Sequence, residues 1–395
     1  MQRRFLSFFI ALLTFTVGVG ATYALLPRAH SAPPSPAPVD PGQTPTVGAA
    51  TLEMVFVLDT TGSMSGLLEG AKQRIWGIVN DVMQSSSRPA VRIGLVAYRD
   101  RGDEYETKVL PLTNNLDEVY STLMDYQAGG GGDGPENVRR ALADGVREAG
   151  WSPRSPGVAQ IIFLVGDAPP HDDYANEPDT VLTAGEAARA GMVVNTIQCG
   201  SLPGTKAAWE KIALNGQGQY FAIAQDGGVQ AISTPYDKPL AELGAKIGGT
   251  YLAYGGSASN RAEAEEKQKN LEMKFTGGAS VSAAADRAVN KAVNAEAYAS
   301  DLLQEIENGK VNLETLKDEY LPDDLRKLDP AARKQEVEKR LAERRKLRAE
   351  ILQLSKKRDD YLAAERKQQA GKRGGFDAAV AAALREQLQR RGIKL

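Results

Sequence analysis

The sequence predicts an α/β fold, a doubly wound sheet with one antiparallel edge strand, followed by an α-helical C-terminal region. Between residue 51 and about residue 255, apolar runs that suit buried strands alternate with segments of helical periodicity. Two successive apolar runs, residues 92–98 and 108–112, are separated by too short a segment for a crossover helix, so we expect an antiparallel hairpin. After residue 255 the chain becomes rich in Ala, Glu, Lys, Arg and Leu, which predicts helices.

The first predicted strand ends in a group of oxygen-bearing side chains. Its apolar residues 55–58 lead into Asp59, and Thr61 and Ser63 follow at every second position of a Gly-containing turn. In open α/β sheets, ligands bind at the carboxyl ends of the strands, and hard oxygen ligands of this kind suit Mg²⁺. A hydroxyl-rich helix N-cap is the alternative, but it would explain Ser63 and not the carboxylate at the strand end.

The other elements of the first half continue the alternation. Pro135 stands near the first turn of one predicted helix, where proline is tolerated. The apolar run at residues 160–165 predicts a buried strand that ends at Gly166 and Asp167. The remaining predicted elements are helices at 116–126, 135–149, 180–190 and 206–214, strands at 192–197 and 219–223, and a closing helix at 229–247.

The C-terminal region, residues 256–395, predicts a helical or coiled-coil structure. We expect one helix at 286–306, a long helix after it, and a last short helix at 376–388. Arg344 and Arg358 interrupt the apolar seam of the long helix, which predicts a helical hairpin or a short, imperfect coiled coil. The apolar residues at its a and d heptad positions are Val337, Leu347, Ile351, Leu354 and Tyr361.

The N-terminus predicts export. Residues 1–31 begin with two arginines, continue with a long apolar stretch and end in Ala29-His30-Ser31, which fits a small-x-small cleavage site of a signal peptide. The apolar stretch is also just long enough to span a bilayer, so an uncleaved membrane anchor is the alternative. Residues 32–50 are rich in proline and predict an extended linker. We therefore expect a periplasmic or extracellular protein, whose first folded domain comprises residues 51–255.

The composition excludes several classes of protein. The 395 residues carry a net charge of −2, so the whole chain is neither strongly basic nor strongly acidic. Cys199 is the only cysteine, which excludes an intramolecular disulfide, and no Cys/His cluster exists for a structural zinc site. The basic segment 333–373 contains interspersed acids and lacks interleaved aromatic residues, so we expect no binding of nucleic acid.

Three segments resemble the metal-ion-dependent adhesion site of the von Willebrand factor type A domain. The run D-T-T-G-S resembles the D-x-S-x-S signature of that family, with Thr61 in place of the first serine. The run G-G-G-G-D-G-P-E resembles a subgroup of bacterial type A proteins, which places an aspartate, here Asp133, where the family usually has threonine. Asp167, in V-G-D-A-P-P-H, matches the last acidic position of the family. The resemblance covers residues 51–255 and implies a Rossmann-like fold, and the tail is similar to those of exported bacterial type A proteins.

The resemblance implies a bound divalent cation, Mg²⁺ or else Mn²⁺ or Ca²⁺. Three carboxylates this close together would repel one another unless a cation, protons or hydrogen-bond donors intervened. The residues implied as ligands are Asp59, Thr61, Ser63, Asp133 and Asp167. By contrast, we expect Asp100 to lie in a solvated hairpin tip and His171 in a surface loop. The alternatives are that Asp100 rims the site and that His171 is a ligand.

The function implied is that of a non-catalytic, metal-dependent protein-binding module of the cell envelope. The ion would hold an open coordination position for an acidic residue of a partner protein, and the N-terminal apolar segment could attach the chain to a membrane. One alternative is a helical structural scaffold with a dispensable metal site. Another is a phosphotransfer-type hydrolase, because D-T-T-G-S superficially resembles D-K-T-G-T, whose aspartate becomes phosphorylated. No lysine stands beside Asp59 in the sequence, so we expect that the protein is not an enzyme.

Overall fold

A computed structural model describes residues 50–83, 89–223, 233–277, 281–294, 297–298, 300–369 and 376–393. The segment expected to direct export, the linker up to residue 49 and the first residues of the expected closing helix lie outside these described residues. Within the described part of the chain, no helix is both long enough and apolar enough to cross a membrane.

Six strands form one sheet in the order β3-β2-β1-β4-β5-β6. All neighbouring strands are parallel except β2 and β3, which confirms the predicted antiparallel edge strand. The chain order reverses between β1 and β4, and the crevice above such a point is where open α/β sheets bind ligands. The strand bounds are β1 Thr51–Asp59, β2 Ala90–Tyr98, β3 Thr107–Thr113, β4 Val158–Gly166, β5 Val193–Cys199 and β6 Gln217–Ile223.

Helices cover both faces of this sheet. Leu52 and Phe56 of β1 belong to a core shared with α1 and α2, whereas Val55 and Val57 belong to a second core shared with α3, α4 and α5. Successive side chains of a strand point to opposite faces, so a strand buried on both faces is apolar at nearly every position. The helices of this half are α1 Leu68–Met83, α2 Leu116–Asp125, α3 Val138–Arg147, α4 Thr180–Ala190, α5 Thr205–Asn215 and α6 Asp237–Gly248.

The C-terminal region is helical, as the sequence predicts. The single helix expected at 286–306 is wrong in extent, because α8 ends at Val293 and α9 begins only at Leu302. The helices are α7 Ala258–Gly277, α8 Val281–Val293, α9 Leu302–Glu307, α10 Asp323–Arg326, α11 Pro330–Gln369 and α12 Phe376–Gln389.

The last helix, α12, packs against β6 of the sheet. Leu384 and Leu388 of α12 belong to the same core as Phe221 of β6. Beside them, the amide groups of Gln387 and Asn195 exchange two buried hydrogen bonds, at 2.8 and 3.1 Å. The domain boundary near residue 255 stays a prediction, and this helix from beyond it shares a core with the sheet.

The expected closing helix, α6, packs on α8 and α11, and two buried arginines of α11 pair with carboxylates from other parts of the chain. Arg344 of α11 is fully buried and forms an ion pair with Asp301. Arg358 of α11 donates hydrogen bonds to Asp237 of α6 at 2.7 Å and to Asp286 of α8 at 2.5 Å. These arginines interrupt the heptad seam because their side chains pair with carboxylates of other elements. The coiled coil itself stays a prediction.

We predict that Leu388→Ala lowers the free energy of unfolding of the full chain by about 2–5 kcal/mol, because it removes a fully buried side chain from the core of the sheet. Leu352→Ala is the matched control, since Leu352 of α11 is 43% exposed and its truncation should change stability by at most about 0.5 kcal/mol. Urea-induced unfolding measures both. Equal effects of the two substitutions would contradict the packing of α12 on the sheet.

Candidate metal centre

A continuous line of oxygen atoms runs across the carboxyl ends of β1 and β4. Asp59 is the last residue of β1, and its Oδ1 accepts hydrogen bonds from the amide of Thr61 at 2.9 Å and from Thr61 Oγ1 at 2.6 Å. Thr61 Oγ1 lies 3.0 Å from Ser63 Oγ, which donates to Asp167 Oδ1 at 3.0 Å. Because β1 and β4 are adjacent and parallel, four of the five predicted ligands meet at one edge of the sheet.

Two glycines allow the close approach of the loops at this edge. A Cβ atom at Gly166, the last residue of β4, would lie 2.4 Å from the hydroxyl of Tyr98 and 2.9 Å from Asp59 Oδ2. A Cβ atom at Gly62 would lie 2.8 Å from the carbonyl oxygen of Gly130, which accepts the hydrogen bond of the Gly62 amide. Any side chain at either position would therefore push the loops apart.

Glu136 is a third carboxylate of this site, and sequence reasoning missed it. It is 2% exposed and lies close to Thr61. A Cβ atom built at Gly131 would lie 3.1 Å from Glu136 Oε1 and 3.4 Å from Thr61 Cβ. The backbone amide of Glu136 donates to the carbonyl of Pro169 at 3.0 Å, and its carbonyl accepts from the amide of His171 at 3.1 Å. The sequence predicts a helix from Pro135, but α3 begins only at Val138. Glu136 therefore lies in the loop before the helix. The only sequence signal for its role was its position directly after Pro135 in the same loop as Asp133.

Burial together with mutual repulsion disfavours the charged forms of these carboxyl groups. Burial, and then the charge of Asp167, raise the pKa of Asp59 to about 7. Burial, and then the charge of Asp59, raise the pKa of Glu136 to about 9. Burial likewise raises the pKa of Asp167. The carboxylates of the site are thus unfavourable as anions unless a cation accompanies them.

Glu136 Oε2 is buried without a hydrogen-bond partner among the described residues, and the nearby hydroxyl of Tyr98 is the one donor available there to the buried Asp59 Oδ2. Buried polar atoms of folded proteins almost always have partners, so each such atom calls for an explanation. Every donor atom of the site is an oxygen from a carboxylate or a hydroxyl, the ligand type that Mg²⁺ prefers. The residues present therefore fit a divalent cation of this class.

The structure places Asp133 in a second cluster, next to the first. Its Oδ1 lies 3.3 Å from His171 Nε2, and Asp100 Oδ2 lies 3.5 Å from the same nitrogen. His171 Nδ1 is 2.8 Å from Asp173, and the hydroxyl of Tyr174 donates to both oxygens of Asp100 at 2.9 Å. The expectation that Asp100 and His171 are solvated is wrong, because both are buried where the loops meet. A role for Asp133 as a ligand of the first ion stays a prediction.

Arginines surround the two clusters. The guanidinium of Arg101 lies 3.9 Å above the ring of Tyr174 and pairs with Glu177 at 2.9 Å. Arg99 is largely buried and donates to the carbonyl of Thr60 at 3.1 Å. These cations offset part of the negative charge of the loops and hold the backbone of the turn after β1.

A model of the von Willebrand factor A domain family matches residues 53–235. The chain is 27% identical over 142 residues to the putative ariadne-like RING finger protein R811 of Acanthamoeba polyphaga mimivirus. The aligned region covers 34% of this chain and 13% of that protein. It is 26% identical over 121 residues to alpha-protein kinase vwkA of Dictyostelium discoideum, which covers 30% of this chain and 19% of the kinase. The chain thus spans less than a fifth of the length of each of these two relatives.

Similar solved structures include two further proteins. Proximal thread matrix protein 1 of the mussel byssus has a TM-score of 0.33 and 14% identity, with 45% of this chain and 43% of that chain covered. The SpRpn10 VWA domain has a TM-score of 0.35 and 15% identity, with 45% of this chain and 89% of that domain covered.

We predict that protonation of Asp59 stabilises the metal-free protein. Its folded pKa of about 7 lies above the ordinary value of 3.8, so the folded state binds this proton more tightly than the unfolded state. The contribution is fully present below the unfolded pKa and is lost as the pH rises towards 7. Between pH 5 and pH 8, the chelator-treated wild type should therefore lose about 2–3 kcal/mol of stability relative to Asp59→Asn, as urea unfolding would measure.

Added Mg²⁺ should restore the stability of the wild type at pH 8 and should not affect that of Asp59→Asn. Parallel pH profiles for the two proteins in chelator would contradict the burial of an ionisable carboxyl at the end of β1.

Proposed function

Residues 53–235 of this chain form a von Willebrand factor A domain, and we propose that this domain is a non-catalytic, metal-dependent protein-binding module. One observation carries the proposal. Hydrogen bonds connect Asp59, Thr61, Ser63 and Asp167 at the switch point of the sheet, beside a carboxylate oxygen of Glu136 that is buried without a partner among the described residues. These residues would hold the cation, with Glu136 against the same turn and with Asp133 as a further ligand predicted from sequence.

The bound ion would supply a positive centre with a coordination position open to a carboxylate from outside. The protein controls how much of that charge remains available. If Asp59, Glu136 and Asp167 were all ionised, they would more than neutralise a divalent cation and would repel an acidic partner. In the metal-free protein, burial and then the charge of Asp59 raise the pKa of Glu136 to about 9. The proposal requires that Glu136 keep its proton when the ion is bound, so that the ion retains charge for an acidic residue of a partner protein.

Catalysis by phosphorylation of Asp59 fits the geometry poorly. A nucleophilic carboxylate must reach its substrate, whereas Asp59 is fully buried and its Oδ1 already accepts two hydrogen bonds. Among the described residues, no lysine forms a hydrogen bond or an ion pair with Asp59. A binding role is therefore the better supported proposal.

The scaffold alternative rests on the buried arginines of α11, and it predicts that the metal site can be lost without loss of function.

We predict that the full chain binds Mg²⁺, and that Asp59→Asn weakens this binding at least tenfold, because the amide removes the charge of the most deeply buried ligand. Isothermal titration calorimetry measures the affinity, and Mg²⁺ should also raise the melting temperature of the wild type. Asp172→Asn is the matched control. It removes the same charge from an exposed side chain of a neighbouring loop and should leave the affinity unchanged.

A pull-down from an envelope extract extends this experiment to the partner. The wild type should retain a partner in Mg²⁺ and release it in chelator, and Asp59→Asn should not retain it. Mg²⁺ affinities that are equal in wild type and Asp59→Asn would overturn the metal-dependent module. A partner bound equally well in chelator would favour the scaffold.

We further propose that the protein is exported and acts in the periplasm or outside the cell. The charged start, the apolar stretch and the small-residue site of residues 1–31 support this. A fusion of residues 1–50 to a reporter that is active only outside the cytoplasm should be active. The matched control carries Leu12→Arg and Leu13→Arg, which interrupt the apolar stretch and should abolish the signal. An inactive wild-type fusion, beside an active fusion to a known export signal, would overturn the proposal.

A further inference from the structure

The loops after β2 and β4 and the loop before α3 bring together Asp100, His171 and Asp133. We propose that these three side chains bind a second divalent cation, a transition metal of the Mn²⁺ to Zn²⁺ series, beside the oxygen-lined site at Asp59. This goes beyond the proposed function, which needs only the first ion. The second ion would fasten three loops around the rim of the partner-binding crevice.

The distances suit a common metal ion. The ligand atoms of Asp100, Asp133 and His171 lie within 4.8 Å of one another, and the nitrogen–oxygen distances are 3.3 and 3.5 Å. A metal that binds its ligands at about 2.1 Å holds neighbouring ligand atoms about 3.0–3.4 Å apart. Small rotations of the two carboxylates would complete this geometry without movement of the backbone.

The imidazole of His171 is oriented as in metal sites. Metal-bound histidines usually donate their other ring N–H to a carboxylate, which fixes the tautomer and the ring plane. Here Nδ1 lies 2.8 Å from Asp173, so that Nε2 faces Asp100 and Asp133. The ring is buried and stacks on Tyr174 at 4.0 Å, while the Tyr174 hydroxyl holds both oxygens of Asp100. Nε2 lies within hydrogen-bond distance of Asp133 Oδ1, and a cation bound there would take the place of the proton on Nε2.

A second observation points to a ligand in this region. Glu136 is 2% exposed, its Oε2 lacks a hydrogen-bond partner among the described residues, and its carbonyl accepts the amide hydrogen bond of His171. Glu136 therefore connects the two clusters: its carboxyl lies beside Thr61 of the first cluster, and its carbonyl holds the amide of His171 of the second. The side chain of Asp133 is 62% exposed, which leaves the ion a path from solvent.

The donor set selects the class of metal. Imidazole nitrogen suits Zn²⁺, Fe²⁺ and Ni²⁺, and carboxylates suit Mn²⁺, whereas Mg²⁺ prefers oxygen ligands alone. The first site offers only oxygen atoms, so the two sites should differ in their preference. Mn²⁺ can enter both sites and is paramagnetic, and an excess of Mg²⁺ should displace it from the first site only.

The test uses the full chain, freed of metal with chelator and loaded with Mn²⁺ in excess Mg²⁺. Electron paramagnetic resonance counts the bound Mn²⁺, and electron spin-echo modulation detects an imidazole nitrogen as its ligand. We expect one bound Mn²⁺ per chain with nitrogen modulation. His171→Gln should abolish the modulation, and Asp133→Asn should weaken Mn²⁺ binding at least tenfold. Asp172→Asn, which removes an exposed carboxylate from the same loop, should change neither.

The two sites can fail independently, because Asp59 belongs to the first alone and His171 to the second alone, whereas Asp133 is a ligand proposed for both. Asp59→Asn should lose Mg²⁺ affinity and keep the nitrogen-coupled Mn²⁺, whatever the outcome for the proposed function. Absence of nitrogen modulation in the wild type, or Mn²⁺ affinity that is unchanged in Asp133→Asn, would overturn the second site. Loss of the nitrogen-coupled ion in Asp59→Asn would also overturn it, because one shared ion would then explain both clusters. Asp133→Asn alters an exposed side chain, so its result does not depend on refolding of the core.

Discussion

The burial of several carboxylates at one edge of the sheet is the constraint on which the rest of the site depends. Asp59, Glu136 and Asp167 cannot all be ionised there unless positive charge accompanies them, because little water reaches them and each raises the energy of the others. Neighbouring residues reduce this repulsion by donating hydrogen bonds to the carboxylates. Thr61 donates two hydrogen bonds to Asp59, and Ser63 donates one to Asp167. The remaining unsatisfied oxygen, Glu136 Oε2, is the strongest support for a cation.

The same edge of the sheet depends on residues far along the chain. Leu384 and Leu388 of α12 pack on β6 and belong to the core that also lies beneath β1 and β4, so the last helix covers part of the sheet on which the site is built. Arg344 and Arg358 fasten α11 to other helices through buried carboxylates. Breaking such a pair strands a buried charge, which costs far more than losing a surface pair. The tail thus packs on the same sheet that carries the crevice.

The sequence predicted the site where its residues are close along the chain or end a clear strand. Asp59, Thr61 and Ser63 share one turn, and Asp167 follows an apolar strand that had to lie parallel to the first. Glu136 was missed because Pro135 suggested the first turn of a helix, whereas the helix begins later, at Asn137 as its cap. His171 was expected to be solvated because its neighbours in the sequence are hydrophilic. The local sequence does not show which distant loops cover its ring.

The sequence by itself determined the α/β fold with its antiparallel edge hairpin, the helical character of the tail and the oxygen-bearing side chains at the first strand end. These follow from local periodicity, from short connections and from the rule that ligands bind at strand ends. Only the tertiary structure decided that α12 packs on the sheet and that the seam arginines pair with distant carboxylates. Likewise, only it decided that Asp133 faces His171 and Asp100 while Glu136 lies beside Thr61. The physical reason is that burial and pairing depend on which distant loops and helices meet, and hydrophobic periodicity carries no information about that.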